Sequence, residues 1–227
     1  MKNIAVIFAG GSGVRMNTRS KPKQFLELRG KPIIIYTLEL FDNHPLIDGI
    51  VVCLESWIPF LKKMLKKFEI NKVVKIVSGG DSGQDSIYRG LCAVEDYCKD
   101  KGEENAVVLI HDGVRPLIVD ETITRNIEKV HEKGSAITVV PAIETFVIQK
   151  EEGQMVIPDR SSCLLARAPQ SFYLKDILSI HRKNKENGNI TFIDSCSMMS
   201  YFGYKMATIE GPMENIKITT PTDYFIF

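Results

Sequence analysis

The residues Ile4-Ala5-Val6-Ile7-Phe8-Ala9 run straight into Gly10-Gly11-Ser12-Gly13. A run so short, apolar and rich in β-branched residues reads as a buried strand. Glycines at the end of such a strand let the chain turn tightly and come close to a ligand that side chains would exclude. Successive backbone N–H groups in that turn make a concavity for anions. Arg15 and Lys23 follow within the same stretch and add fixed positive charge. The simplest ligand for this combination is a polyphosphate. A dinucleotide fingerprint fails, because Met16 stands where the third glycine of G-x-G-x-x-G would be. A Walker A loop also fails, since no G-K-[ST] follows the glycines.

Further apolar runs at Ile50–Leu54, Val73–Val77, Val107–Ile110 and Ala136–Val140 alternate with helical spacing. Ile34, Leu38 and Phe41 form one such stripe; Ile58, Leu61, Leu65 and Phe68 a second; Leu91, Val94 and Tyr97 a third. Strands alternating with helices predict an α/β fold with a mostly parallel sheet, and 227 residues fit a single domain, 1–227. A net charge of +1 provides no bulk attraction to nucleic acid or a membrane surface, so any anion site must be local. Lys62, Lys63, Lys66 and Lys67 read as a solvated helix face. The five cysteines are odd in number and lack a C-x-x-C pair, which argues against zinc and for reduced thiols in a cytoplasm. No apolar run reaches membrane-spanning length.

Two later turns carry chemistry. Ser78-Gly79-Gly80-Asp81-Ser82-Gly83-Gln84-Asp85-Ser86 lies between a strand and a helix, with Asp85 or Ser86 placed to cap that helix. After Val107–Ile110 comes His111-Asp112-Gly113-Val114-Arg115-Pro116, at the C-terminal strand edge where open α/β sheets bind ligands. A carboxylate beside phosphates there suits a hard cation such as Mg²⁺; the plainer alternative is an Asp112–Arg115 pair that shapes the turn. No serine or cysteine motif supports His111 as part of a triad, so it reads as structural. Residues 141–149 and 155–158, separated by Glu151-Glu152-Gly153, predict a β-hairpin arm at about 141–160. The chain closes with a strand at Met206–Ile209 and the segment Asn215-Ile216-Lys217-Ile218-Thr219.

Taken together, G-G-x-G-x-R-M, P-K-Q, H-D-x-x-R-P and N-I-K-[IV]-T resemble the cytidylyltransferases acting on methylerythritol phosphate and ribitol phosphate. Phe8-Ala9-Gly10-Gly11 is closer to the ribitol-phosphate branch. The resemblance implies a Rossmann-like three-layer sandwich with a protruding β-arm that makes a homodimer. It implies transfer of CMP from CTP to a polyol phosphate, D-ribitol 5-phosphate first and 2-C-methyl-D-erythritol 4-phosphate second, with Mg²⁺ as cofactor. By the same resemblance Arg15, Lys23 and Lys217 are catalytic. Phe8, Ala9, Gly10, Gly11, Gly13, Gly80, Asp81, Ser86 and Asp112 bind the nucleotide, with Asp112 also on the metal. Arg115, Thr145, Arg160 and Asp194 bind the acceptor. The chain departs from the family pattern at Gly83 (usually arginine), Glu144 (aspartate), and Ala168 and Ile193 (threonines). Those changes leave a different class open, a nucleotide-binding regulator without turnover.

Overall fold

The computed structural model describes residues 1–9 and 21–227; the expected site residues Gly10, Gly11, Gly13 and Arg15 lie outside the described residues. Along the chain β1 (Lys2–Phe8) leads to a small hairpin, β2 (Glu27–Leu28) and β3 (Lys31–Pro32). Then come α1 (Ile33–Asn43), β4 (Gly49–Leu54), α2 (Ile58–Lys67), β5 (Val73–Ser78), α3 (Gly83–Asp100) and β6 (Ala106–Asp112). Next are α4 (Asp120–Lys133), β7 (Ser135–Pro141), β8 (Ile148–Gln149), β9 (Met155–Val156) and β10 (Leu164–Tyr173). The chain ends through α5 (Leu174–Glu186), α6 (Ser195–Tyr201), β11 (Thr208–Glu210) and α7 (Pro221–Ile226).

Among the described residues, seven strands form one sheet in the order β11-β7-β10-β6-β1-β4-β5. Every pairing is parallel except those of β10, which runs antiparallel to both β6 and β7. Alternation along the strands divides the core in two. Ala5 and Ile7 of β1, with Val107 and Leu109 of β6, face one cluster with α1, α2 and α4. Ile4 and Val6, with Val108 and Ile110, face the other with α3, α5 and α6. Both faces of the central strands are therefore dry, which is why β4 and β6 read as unbroken apolar runs. Helix α3 sits close on the sheet because Gly90 carries no side chain: a Cβ there would lie 2.5 Å from Cys53 Sγ and 2.8 Å from Val6 Cγ1.

Some local expectations change. The cap of α3 is Ser82, whose side chain accepts from Asp85 N at 3.0 Å. The closing strand runs Thr208–Glu210, with Thr208 opposite Ile137 of β7. The arm exists, yet β8 and β9 pair over only two residues each, Ile148 with Val156 and Gln149 with Met155.

Candidate active site

The sheet order fixes where a ligand can bind. From β1 the chain crosses to β4 on one side, whereas β6 lies on the other, so the strand order reverses between β1 and β6. Crevices at such a reversal, outside the carboxyl ends of the strands, are the binding places of open α/β sheets. Phe8 and Asp112 are register partners at those two ends. Beyond them opens a cleft of about 390 Å³ that Phe8, Asp112, Arg115, Asp194 and Lys217 help line.

Asp112 is the hub of the charges here. Its Oδ2 accepts from Arg115 Nε at 2.7 Å and its Oδ1 pairs with Lys217 Nζ at 2.6 Å. Burial alone would raise its pKa. The charges of Arg115 and Lys217, and their hydrogen bonds, outweigh burial and hold it down at about 2. Asp112 is therefore fully ionised at neutral pH. Arg115 also donates from a terminal nitrogen to the carbonyl of Asn215 at 2.9 Å, and Ile218 N donates to Val114 O at 2.9 Å. Those bonds bring the segment 215–219 against the turn after β6; it is a pinned loop and not a strand. Lys23 reaches the same loop, with Nζ 3.3 Å from the carbonyl of Ile218. Behind it, buried Gln24 donates to Ala9 O at 2.8 Å and ties the P-K-Q turn to the end of β1. Three of the ordered motifs thus converge on one place.

His111 is structural. It is fully buried against Phe41, its Nε2 lies 3.1 Å from the carbonyl of Arg115, and desolvation lowers its pKa to about 4. It steadies the turn that carries Arg115. In the second glycine-rich turn Ser86 Oγ accepts from Gly80 N at 2.9 Å and donates to Ser82 O at 2.9 Å. A Cβ on Gly80 would run into the Asp85 side chain, which would have to turn away.

The pattern of the IspD family, 2-C-methyl-D-erythritol 4-phosphate cytidylyltransferase, matches residues 3–226. The chain belongs to this family. It is therefore a nucleotidyltransferase of the cytidylyltransferase type. Over 227 residues it is 55% identical to a ribitol-5-phosphate cytidylyltransferase of Vibrio parahaemolyticus, covering 99% of this chain and 94% of that protein. A 2-C-methyl-D-erythritol 4-phosphate cytidylyltransferase of Clostridium botulinum is 40% identical, covering 99% and 95%. The fold matches the crystal structure of 4-diphosphocytidyl-2C-methyl-D-erythritol synthase from Anaerococcus prevotii, with a TM-score of 0.83 at 26% identity, covering 99% of this chain and 94% of that one.

Within this family framework, the expected residues divide. Phe8, Asp112, Arg115, Asp194 and Lys217 meet at the cleft, and Lys23 stands beside the Lys217 loop. Gly80, Asp81 and Ser86 belong to the stretch 78–86, of which Gly83 and Gln84 reach the cleft. Ala9 is buried, with its N–H on the carbonyl of Cys53. Thr145 and Arg160 are exposed on the arm, where Arg160 donates to Ile143 O at 3.3 Å. Asp194 caps α6 by accepting from Ser197 N at 2.8 Å, and it also accepts from Gln170 Nε2 at 3.0 Å. Arg167, Gln170 and Ser195 also line the cleft and were not singled out from the sequence. The cue was present for Arg167, which sits directly before the substituted Ala168. Ile193, in place of a threonine, is 93% exposed at the mouth, while Ala168 is buried.

A divalent cation fits this donor set only in part. Among the described residues no group of three His, Cys, Asp or Glu side chains could cage an ion. Asp112 alone is an ionised hard-oxygen donor at the strand edge. One carboxylate, completed by phosphate oxygens and water, is the usual way Mg²⁺ is held beside a nucleotide.

Proposed function

We propose that the protein transfers CMP from CTP to D-ribitol 5-phosphate, giving CDP-ribitol and pyrophosphate. The observation that carries the acceptor is the 55% identity over nearly the whole chain to a ribitol-5-phosphate cytidylyltransferase, against 40% for a methylerythritol enzyme. An oxygen of the acceptor phosphate attacks the α-phosphorus of CTP, the bond from that phosphorus to the bridging oxygen of the β-phosphate breaks, and pyrophosphate leaves. A phosphate oxygen is already an anionic nucleophile, so the chain's own work is positioning and charge neutralisation. Lys23 and Arg15 are assigned to the triphosphate. Lys217 and Arg115, both bound to Asp112 before substrate arrives, are assigned to the two phosphates that must approach one another. Asp112 is assigned to Mg²⁺, which when bound would offset the negative charge of those phosphates.

A homodimer built through the arm belongs to the same reading. Ile143, Val147, Ile148, Met155 and Ile157 of the arm are all at least half exposed, an apolar row that the described residues leave open. The five cysteines carry no disulfide, which supports a reducing cytoplasm. No helix among the described residues is long and apolar enough to cross a membrane.

Pyrophosphate release from CTP and Mg²⁺ tests the proposal, with ribitol 5-phosphate, methylerythritol 4-phosphate, erythritol 4-phosphate and glycerol 3-phosphate as acceptors. The highest kcat/KM belongs to ribitol 5-phosphate. A higher value for methylerythritol 4-phosphate would replace the acceptor, and no release with any acceptor would leave a nucleotide-binding regulator.

A further inference from the structure

Strand β10 loses its regular pairing within the cleft. Ala166 pairs with Val139 of β7 and Gln170 with Ile137, so four steps along β10 match two along β7. Arg167, Ala168 and Pro169 thus stand opposite Thr138 alone and form a bulge, and bulges re-aim side chains next to functional sites. Buried hydrogen bonds hold this one open. Thr138 Oγ1 donates to Pro169 O at 2.8 Å, and Asn215 Nδ2 donates to Ala168 O at 2.7 Å. Asn215 is also the residue whose carbonyl holds Arg115. The bulge and the Asp112 hub are thus one connected framework.

That framework presents Arg167 to the cleft without a partner. Its Nε is buried and unbonded, and among the described residues it makes no ion pair. The carboxylates of the cleft are already committed, Asp112 to Arg115 and Lys217, and Asp194 to Gln170 and Ser197. Burial, then the positive charge of Arg115, pulls the Arg167 pKa below the ordinary arginine value. A partly buried guanidinium whose Nε has no partner and whose neighbour is a second cation is favoured by an anion that joins the two, and guanidinium forks suit phosphate oxygens.

The sheet says which phosphate. β1, which leads into the glycine turn, flanks β6 on one side, and β10 flanks it on the other. A nucleotide on the β1 side leaves the β10 side for the second substrate. We infer that Arg167 binds the phosphate of the acceptor, together with Arg115, within the same chain that holds the nucleotide. This rests on the reading above that the acceptor is a polyol phosphate, and it adds a binding residue inside the cleft to the arm's Arg160.

The experiment compares the parent with Arg167→Met, which keeps length and loses charge, and Arg167→Lys, which keeps charge and loses the fork. In Arg167→Met the KM for D-ribitol 5-phosphate rises roughly 10- to 100-fold, the scale of a lost charge-assisted hydrogen bond. The KM for CTP stays within about threefold, because the triphosphate cations are untouched. Arg167→Lys recovers part of the loss. The unliganded Arg167→Met protein melts no lower than the parent, since the buried Nε has no partner to lose; a purely structural arginine would give the opposite. An unchanged acceptor KM, or a CTP KM that rises as far, overturns the inference. Should the parent not use ribitol 5-phosphate, inorganic phosphate titrated calorimetrically into the CTP-saturated protein separates the two ideas. Phosphate binding weakened tenfold or more by Arg167→Met keeps Arg167 and discards the acceptor, and equal binding in both proteins refutes Arg167.

Discussion

Replacing Asp112 by asparagine removes the one negative charge shared by Arg115 and Lys217 while keeping the shape of the side chain. The structure sets the size of the effect. The aspartate pKa stands at about 2 against an ordinary 3.8, because two cations and their hydrogen bonds more than offset burial. At 1.36 kcal/mol per pH unit that depression is worth roughly 2.5 kcal/mol of folding stability at neutral pH. Breaking a fully buried pair costs about 3–5 kcal/mol. The lower figure is the better one here, because the Lys217 side chain is 39% exposed and water can replace its lost partner. The pH dependence follows from the sign. Below pH 3.8 the unfolded chain takes up the proton more readily than the folded one, so the contribution is complete above that pH. Roughly half of it is gone by pH 3 and nearly all by pH 2. Urea unfolding of parent and Asp112→Asn at pH 7, 5 and 3 measures this directly. The gap of about 2.5 kcal/mol at pH 7 should persist at pH 5 and narrow by about half at pH 3. A gap that stays constant down to pH 3, or no gap at pH 7, would refute the claim that two cations hold Asp112 ionised.

Lys23→Ala, and likewise Arg15→Ala, should lower kcat by about 10²-fold or more with little change in melting temperature, since charge on a leaving pyrophosphate is what such cations stabilise. Near-parental turnover would remove the first turn from the triphosphate site. Deleting 144–158 should yield a monomer by light scattering with weak activity, because the exposed apolar row goes with it; a fully active monomer would end the shared-arm idea. His111 and His181 are both held neutral by burial, with pKa values of about 4. Stability is therefore complete above pH 6.5 and declines as pH falls from 6.5 towards 4, where the unfolded chain binds protons that the folded one refuses. In His181→Gln that decline should be shallower in thermal melts, and an equally steep decline would show that His181 does not contribute.

The central strands were legible because burial on both faces leaves the sequence no polar alternation to hide in: Val107–Ile110 and Ile50–Leu54 could be little else. Asp112 followed from its place at a strand end. Lys217 follows only from the N-I-K-I-T resemblance and not from its placement, since alternating Ile216 and Ile218 imitate a strand and only the bonds to Val114 and Arg115 pin the segment as a loop. Ser82 was passed over because Asp85 and Ser86, equally good capping types, stand within four residues. Arg167 was the hardest to see. Its direction depends on a bulge held by Thr138 and Asn215, both distant in sequence, and strand alternation has no register for a residue outside the ladder.

The same bulge bears on how such a protein can change its substrate. In a regular strand, inserting or deleting a residue reverses every side chain beyond it, and the core cannot tolerate the exchange. Residues 167–169 lie outside the ladder: the pairing of β10 with β7 stops at Ala166 and resumes at Gln170. Substitutions there reshape one wall of the cleft while Phe172, deep in the core, keeps its partner Ser135. Directed evolution for new polyol phosphates should therefore begin at Arg167 and Ala168, the two of these residues that line the cleft.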